Sequence, residues 1–432
     1  MADENKTIGD IGEDYIEQLC QLPIGSDFLF RGPMYMTDKG EVELCDLFIL
    51  LGDTAILIEI KTADREKRPD RTEEDWAKFA NLRYEKTVKQ LTRGVEAIKS
   101  GAIKSVTNDR QGEVAIDPDA IQNLYAISVV DHPTLDIWGN SPVLDVEDEH
   151  IVILATTHID LPHLFTELST PTDLIEYMEA RKLYFTKHSL MGITELDLLA
   201  FYKSDPDRFH ELVETVDMLM LTDDLWGGYS ALNQREERAR LDHPSYIIDD
   251  MINNLHRFDQ EKMDHVEDLN NQLGGEQPDT VNYVRIATEL AKIRRIDRRL
   301  LGMKIIEKSE LCIKQNRDRY FASHSETRDG PAFVFLISQD DRKSRCEWLL
   351  PTVLGAIYHY DYTSVVGFVL PPISPGVGFV MDSVWIERTK TQVEEMFGPE
   401  DLQHLPKFSS PKRSTMTEFE AENEEGPETP QS

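Results

Sequence analysis

The sequence predicts an α/β chain of the α+β kind, with a mixed helix and strand core, a helical middle region and a small C-terminal α/β domain. Three observations predict it. Strand-like apolar runs and helical periodicity follow one another up to about residue 156 in the order helix, strand, strand, strand, helix, strand, strand. Strand signals then fade from about Leu161 to Leu311, where helical patterns dominate. They return between residues 331 and 388. The expected division is 1–160, 161–311 and 312–410, with an acidic tail from 411 to 432.

Composition bounds the function. A chain of 432 residues can bury two or three separate cores, and 40% hydrophobic with 29% charged residues is the balance of a soluble globular protein. No run approaches about 18 apolar residues, and MADENKTIGD lacks a basic-then-apolar signal pattern, so a cytoplasmic protein without membrane contact is expected. Cys20, Cys45, Cys312 and Cys346 have apolar surroundings and no CxxC spacing, which reads as reduced core thiols. With 46 basic against 80 acidic residues, the net charge is −34. An acidic chain repels phosphate at long range. Nucleic-acid chemistry on it therefore needs a local basic patch, a partner subunit, or a metal that neutralises the centre.

Residues 7–22 predict a helix, with Thr7 as N-cap and Ile11, Tyr15, Ile16 and Leu19 as its apolar stripe. Glu13 and Glu17 lie one turn apart on it. A first strand is expected over Asp27–Met36. The hairpin EVELCDLFILLGDTAILIEIK follows, from Glu41 to Lys61, with Gly52-Asp53 suiting a two-residue type II′ loop. If Leu51 faces Thr54, then Phe48 faces Leu57 and Asp46 faces Glu59. Alternation puts Lys61 on the face of Glu59, and Val42, Leu44, Phe48 and Leu50 on the face of Asp46.

Directly opposed side chains have Cβ atoms roughly 4.5–5.5 Å apart, and two like charges that close on an apolar face need an offsetting group. A divalent cation is the natural one. Hard oxygens at this spacing suit Mg²⁺ or Mn²⁺, bound by Asp46 and Glu59, with Lys61 orienting water or stabilising charge on phosphate. The plainer alternative is a strand-edge Asp beside a Glu–Lys surface pair.

A helix is predicted from about Glu73 to Ser100, with Val88, Leu91, Val95 and Ile98 as its core stripe. Gly94 permits close approach to a sheet, and Gln90 lies near the stripe with Lys86 and Lys89 as neighbours. The polar stretch 101–120 reads as an exposed insertion, and Leu124–Val130 and Ile151–Thr156 read as strands. His158 and His163 follow as surface residues or a potential ligand or base.

The pattern Asp46, then Glu59-Ile60-Lys61, on consecutive strands resembles the PD-(D/E)xK nuclease superfamily, with its restriction-endonuclease-like fold. GDIGEDYIEQL, where Gly12-Glu13 opens a helix, resembles its first-helix glutamate, and the combination is similar to the nuclease-related (NERD-like) branch. The resemblance covers roughly residues 7–160, and Cys45 stands where a Pro often precedes the motif Asp. It implies an αβββαβ core and Mg²⁺- or Mn²⁺-dependent hydrolysis of nucleic acid, with DNA as the expected substrate, in antiviral defence or repair in a microbial cell. Glu13 and Gln90 would support Asp46, Glu59 and Lys61; in the family a Gln or Lys of the helix after the ExK strand often lines the site.

Beyond 160, long polar helices are expected around 205–221 and 246–272, with a loop at Gly274-Gly275 and Pro278. In the next helix Ile293, Ile296, Leu300, Met303 and Ile306 form the predicted stripe, which sends Arg294, Arg295, Arg298 and Arg299 outward. They are either intramolecular ion pairs or phosphate contacts. AFVFLIS, Ser364–Leu370 and Phe379–Ile386 predict strands, and Arg342–Tyr360 a helix that Pro351 should kink or end. No P-loop, Rossmann fingerprint, GxSxG elbow or HExxH occurs here. The Glu-, Ser-, Thr- and Pro-rich tail from about Pro411 predicts disorder. Two other functions fit the same sequence: a non-catalytic subunit binding a protein partner or a second copy, and an acidic DNA mimic.

Overall fold

The computed structural model describes residues 7–62, 72–130, 143–146, 149–187, 194–216, 221, 224–231, 233–255, 280–324, 330–373 and 380–407. The charged loop 63–71, the Gly274-Gly275 loop and the tail fall outside them. Two compact units form, Met1–Arg235 and Glu236–Ser432. The helices between 161 and 311 are shared between the two.

In the first unit Thr7 caps helix α1 (Ile8–Ile24) in a capping box with Asp10. The predicted stripe is rotated: Ile16, Cys20 and Ile24 are buried, whereas Ile11 and Tyr15 are exposed. Arg31 explains the difference, because it draws Glu13, Asp14 and Glu17 of α1 inward as ion-pair partners. The first strand is shorter than predicted. β1 (Leu29–Arg31) ends at Gly32-Pro33, and β2 (Met34–Thr37) turns away to form a separate hairpin with β3 (Gly40–Glu43).

Strand pairing resumes at β4 (Leu47–Leu51), which forms the expected hairpin with β5 (Thr54–Lys61). Leu51 pairs with Thr54 and Phe48 with Leu57, as the turn requires. Gly52 has φ +61°, the positive value that the first position of a type II′ turn demands. Helix α2 (Glu73–Lys99) buries Leu91, Val95 and Ile98 against this sheet. Gly94 allows the approach, since a Cβ there would stand 2.6 Å from Leu57 Cδ2 and 3.0 Å from the Leu44 carbonyl.

The stretch 101–120 is anchored, not an exposed polar insertion. It forms a hairpin, β6 (Ser105–Asn108) with β7 (Gly112–Ala115), and sends Ile103, Val106 and Ile116 into the core. β8 (Asn123–Val130) runs parallel to β5. The predicted strand at 151–156 changes partner midway: β9 (Val143–Val146) pairs with β10 (Glu149–Val152), and β11 (Leu154–Thr157) lies parallel to β8. The resulting mixed sheet has the order β1-β4-β5-β8-β11. Helices α3 (Leu161–Glu167), α4 (Pro171–Lys187), α5 (Glu195–Ser204), α6 (Pro206–Thr215) and α7 (Leu225–Ser230) complete the unit. Arg181 and Glu195, both buried, are paired at 3.0 Å between α4 and α5.

Helix α8 (Asn233–Leu241) carries the chain on to α9 (Tyr246–Leu255), α10 (Thr280–Ala291) and α11 (Arg295–Gln315) of the second unit. The four-stranded sheet there has β12 (Arg319–His324), β13 (Ala332–Ile337), β14 (Ser364–Leu370) and β15 (Asp382–Glu387) side by side, with β13 and β14 parallel. Helix α12 (Arg342–Tyr360) connects those two and runs uninterrupted through Pro351. Of the two expected effects of that proline, a kink or a helix end, the end does not occur. Cys20, Cys45 and Cys312 are buried thiols and Cys346 is half-buried. Among the described residues no helix is long and apolar enough to cross a membrane.

Candidate active site

The hairpin brings its two acids and its lysine together, by a route the alternation rule does not contain. Asp46 lies in the break between β3 and β4, outside the ladder that ends at Leu47 with Ile58. Its backbone carbonyl accepts the Gly32 N–H at 2.9 Å, on the β1 side. Its side chain turns the other way, and Oδ2 accepts the Ile60 N–H at 2.5 Å. Glu59 and Lys61 share a face of β5, and the Lys61 ammonium reaches back over that strand. It stands 2.8 Å from Glu59 Oε2, 3.3 Å from Asp46 Oδ2 and 3.1 Å from the Ile60 carbonyl.

Burial makes this group electrostatically tense. Glu59 is 1% and Asp46 6% exposed. Desolvation, then repulsion by Asp46, pushes the Glu59 carboxyl up to about 8, although Lys61 pulls in the other direction. Burial alone would lower Lys61, but attraction to Glu59 and Asp46 outweighs it and raises the ammonium above its usual value. Glu13 is raised by burial and by Asp46, with Arg31 opposing. Glu43, at the end of β3, is raised by burial, Asp46 and Glu13.

The structure thus draws Glu13 near the Asp46 group, as the first-helix resemblance implies, and adds two residues that sequence reasoning missed. Glu43 reads in sequence as the polar side of an alternating strand, and Arg31 as an ordinary strand residue. Arg31 donates to Glu13 at 3.3 Å and to Glu17 at 3.2 Å, and also to Asp14.

Gln90 is half-buried on α2, with Lys86 and Lys89 exposed beside it. Among the described residues it makes no hydrogen bond to Asp46, Glu59 or Lys61. The polar contact of α2 with this part of the sheet belongs to Thr87, whose hydroxyl is 2.6 Å from that of Ser128, the lateral partner of Glu59. His163 packs against Trp226, with ring centroids 5.4 Å apart, and acts with His158 on Asp160.

The basic helix is a correction. Arg295, Arg298 and Arg299 are buried, not projected outward. Arg295 and Arg298 share Asp249 at 2.6 and 2.5 Å, and Arg299 holds Asp242 at 2.6 Å. Arg298 also donates to the Ile293 and Ala291 carbonyls at 2.9 and 2.8 Å. Arg294, partly exposed before the first turn of α11, pairs with Asp297 at 3.0 Å. The predicted stripe of Ile293, Ile296, Leu300, Met303 and Ile306 is only half-buried. Two aspartates distant in sequence reverse the face that periodicity selects, which leaves Arg295, Arg298 and Arg299 no free surface for phosphate.

Among the described residues, no group of three or more His, Cys, Asp or Glu side chains is disposed to hold a metal ion. Three oxygens, from Asp46, Glu59 and the Ile60 carbonyl, nevertheless converge on one cationic atom, Lys61 Nζ. That donor set is hard and anionic, and fits Mg²⁺ or Mn²⁺ held by two carboxylates with water completing the shell. Such an ion would take the ammonium's place among the oxygens. Comparison of the chain with family models, with curated proteins and with solved structures gives no match.

Proposed function

We propose that this protein is a metal-dependent nuclease hydrolysing phosphodiester bonds, with DNA as its substrate, in cytoplasmic defence or repair. The observation that carries this reading is the convergence of Asp46, Glu59 and Ile60 oxygens on the Lys61 ammonium at the carboxyl end of β5. Support for a restriction-endonuclease-like core comes from the order α1, β1, β4, β5, α2, β8, which is αβββαβ once the β2–β3 and β6–β7 hairpins are set aside. A bound Mg²⁺ or Mn²⁺ would supply charge neutralisation at phosphate and a more acidic water. Asp46 and Glu59 would hold it. Lys61, displaced from between them, would present its ammonium to the phosphate oxygen on which charge develops. Glu13 lies close enough to Asp46 for the two charges to repel but is paired with Arg31, and Gln90 has no contact that supports its expected part.

A second reading has its own observation. The ammonium of Lys61 already offsets both acids without any ion, so the cluster can be a static element of a non-catalytic subunit in an assembly. The two separate on one experiment. Wild type and Glu59→Gln are incubated with single- and double-stranded DNA and RNA in Mg²⁺, Mn²⁺ and EDTA. Cleavage by the wild type alone, and only with metal, is the nuclease outcome; no cleavage of any substrate leaves the assembly reading.

A further inference from the structure

Arg345 is 7% exposed and forms no ion pair among the described residues. Every other buried arginine among them has an acid partner: Arg181 has Glu195, Arg238 and Arg299 have Asp242, and Arg295 and Arg298 have Asp249. Arg345 Nη1 donates to the Asp340 carbonyl at 2.6 Å, and its Nε is buried without a partner. Nη2 makes no hydrogen bond among the described residues and is not enclosed as Nε is. A guanidinium taken out of water without a counter-charge is costly. Burial accordingly lowers Arg345 below its usual value, against the attraction of Asp382. Asp382 is already engaged, since Arg342 grips it with Nη2 at 2.8 Å and Nε at 3.1 Å.

Nε and Nη2 form the two-pronged side of a guanidinium, the side that Arg342 turns on Asp382 and Arg299 on Asp242. In Arg345 that side has donors and no acceptor. Helix side chains lean toward the N-terminus, and the bond to Asp340, which precedes the N-cap Asp341, holds this guanidinium over the first turn of α12. The helix starts from the carboxyl end of β13, beside that of its parallel neighbour β14, where the Ser338 N–H donates to the Leu370 carbonyl at 3.1 Å. Crevices outside the carboxyl ends of parallel strands are where open sheets take ligands, and a helix N-terminus favours anions there. Gln339, Asp340, Asp341 and Lys343 are exposed, so this end of the sheet opens to solvent.

We propose that Arg345 binds a phosphate group through its Nε–Nη2 edge, in the crevice between the first turn of α12 and the carboxyl ends of β13 and β14. The site belongs to the second unit and does not depend on the nuclease reading. Phosphate fits on two counts: a pair of its oxygens matches the two parallel donors, and its charge gains from both the guanidinium and the helix end. The neighbouring carboxylates do not fill the place. Asp341 is spent on the Ser344 N–H at 3.0 Å and Asp382 on Arg342 at 2.8 Å, which leaves the charge of Arg345 uncommitted.

The test uses the full chain, with inorganic phosphate titrated by calorimetry in EDTA and melting temperature measured separately in sodium chloride without phosphate. The wild type should bind phosphate saturably, and Arg345→Met should not bind it. Arg345→Lys keeps a positive charge without the two-pronged edge, so its Kd for phosphate should rise about tenfold. Without phosphate, Arg345→Met should melt at or above the wild type, because an unpaired buried charge is gone. Arg299→Met is the control: its guanidinium is paired with Asp242, so its removal lowers the melting temperature and leaves the phosphate Kd unchanged. A wild type that does not bind phosphate overturns the proposal. So does binding that survives in Arg345→Met, since the ion then sits elsewhere, or an Arg345→Met that melts as low as Arg299→Met, since the guanidinium then serves the fold. An Arg345→Lys that binds as tightly as the wild type also overturns it, because the two-pronged edge then plays no part.

Discussion

Asp46 accepts the backbone N–H of Ile60 at 2.5 Å, just past the last backbone pair of their two strands, Leu47 with Ile58. A carboxylate oxygen there does the work of the next ladder carbonyl, so one side chain both extends the hairpin and faces the Lys61 ammonium. Structural and chemical roles of Asp46 are separable by substitution. Asp46→Asn retains an acceptor for Ile60, whereas Asp46→Ala leaves a buried N–H unpaired, at a cost of about 1–3 kcal/mol. Urea unfolding should place Ala below Asn by that amount, with both lacking metal-dependent stabilisation. Equal stability of the two would show that the Ile60 bond contributes nothing.

The acidity of Glu59 sets the direction of a pH dependence. Its folded value, about 8, lies above the ordinary 4.5, so the folded state holds the proton more tightly than the unfolded one. The stabilising contribution is complete below about pH 4.5 and is lost as pH rises through 8, with a slope of up to about 1.4 kcal/mol per unit. In EDTA, wild-type stability should therefore fall more steeply between pH 5 and 8 than that of Glu59→Gln. Added Mg²⁺ should flatten the wild-type profile at the upper end, since a cation competes with that proton. Parallel profiles for the two proteins would remove Glu59 as the titrating group.

How much of this was legible in the sequence depended on whether the deciding partner was local. The β4–β5 register followed from Gly52, whose positive φ fixes the turn, and the core stripe of α2 followed from its own periodicity. Thr7 was legible as a cap because its partner, Asp10, is within the same turn. The buried faces of α1 and α11 were not. In each a charged residue turns inward to a partner far along the chain: Glu13 to Arg31, Arg299 to Asp242. Periodicity ranks side chains by apolarity and has no means of seeing that partner. Glu43 was hidden for a different reason: the break in the strand at Asp46, which alternation does not anticipate, brings the two acids close enough to repel.

Arg299 offers a test of the buried pairs. It is 1% exposed and donates twice to Asp242 Oδ1, at 2.6 and 3.0 Å. Removing one member of a buried pair typically costs about 3–5 kcal/mol, and Arg238, 3.9 Å from the other Asp242 oxygen, compensates only part of the charge left behind. Arg299→Met should lower the unfolding midpoint sharply, and Arg299→Met with Asp242→Leu should recover part of the loss. A double variant no better than the single would mean that Asp242 is held by other contacts.

Lys61 gives the last prediction, because its substitution should have opposite consequences with and without metal. In EDTA the ammonium is the cation that faces both Asp46 and Glu59, at 3.3 and 2.8 Å. Lys61→Ala then leaves two buried carboxylates opposed without an offset, which should lower the melting temperature and push the Glu59 carboxyl higher still. With millimolar Mg²⁺ a divalent cation replaces the missing charge, so the variant should gain more stability from metal than the wild type does, by mass action on the folded state. Turnover should behave differently: Lys61 brings no oxygen to the metal, and loss of a group that stabilises developing charge typically lowers the rate about 10²–10³-fold. The measurement is melting temperature in EDTA and in Mg²⁺ for wild type, Lys61→Ala and Asp46→Ala, paired with single-turnover cleavage. Lys61→Ala should be rescued in stability but not in rate, and Asp46→Ala in neither. Failure of Mg²⁺ to restore Lys61→Ala would leave the three residues as a permanent ion cluster, with the lysine as its fixed cation.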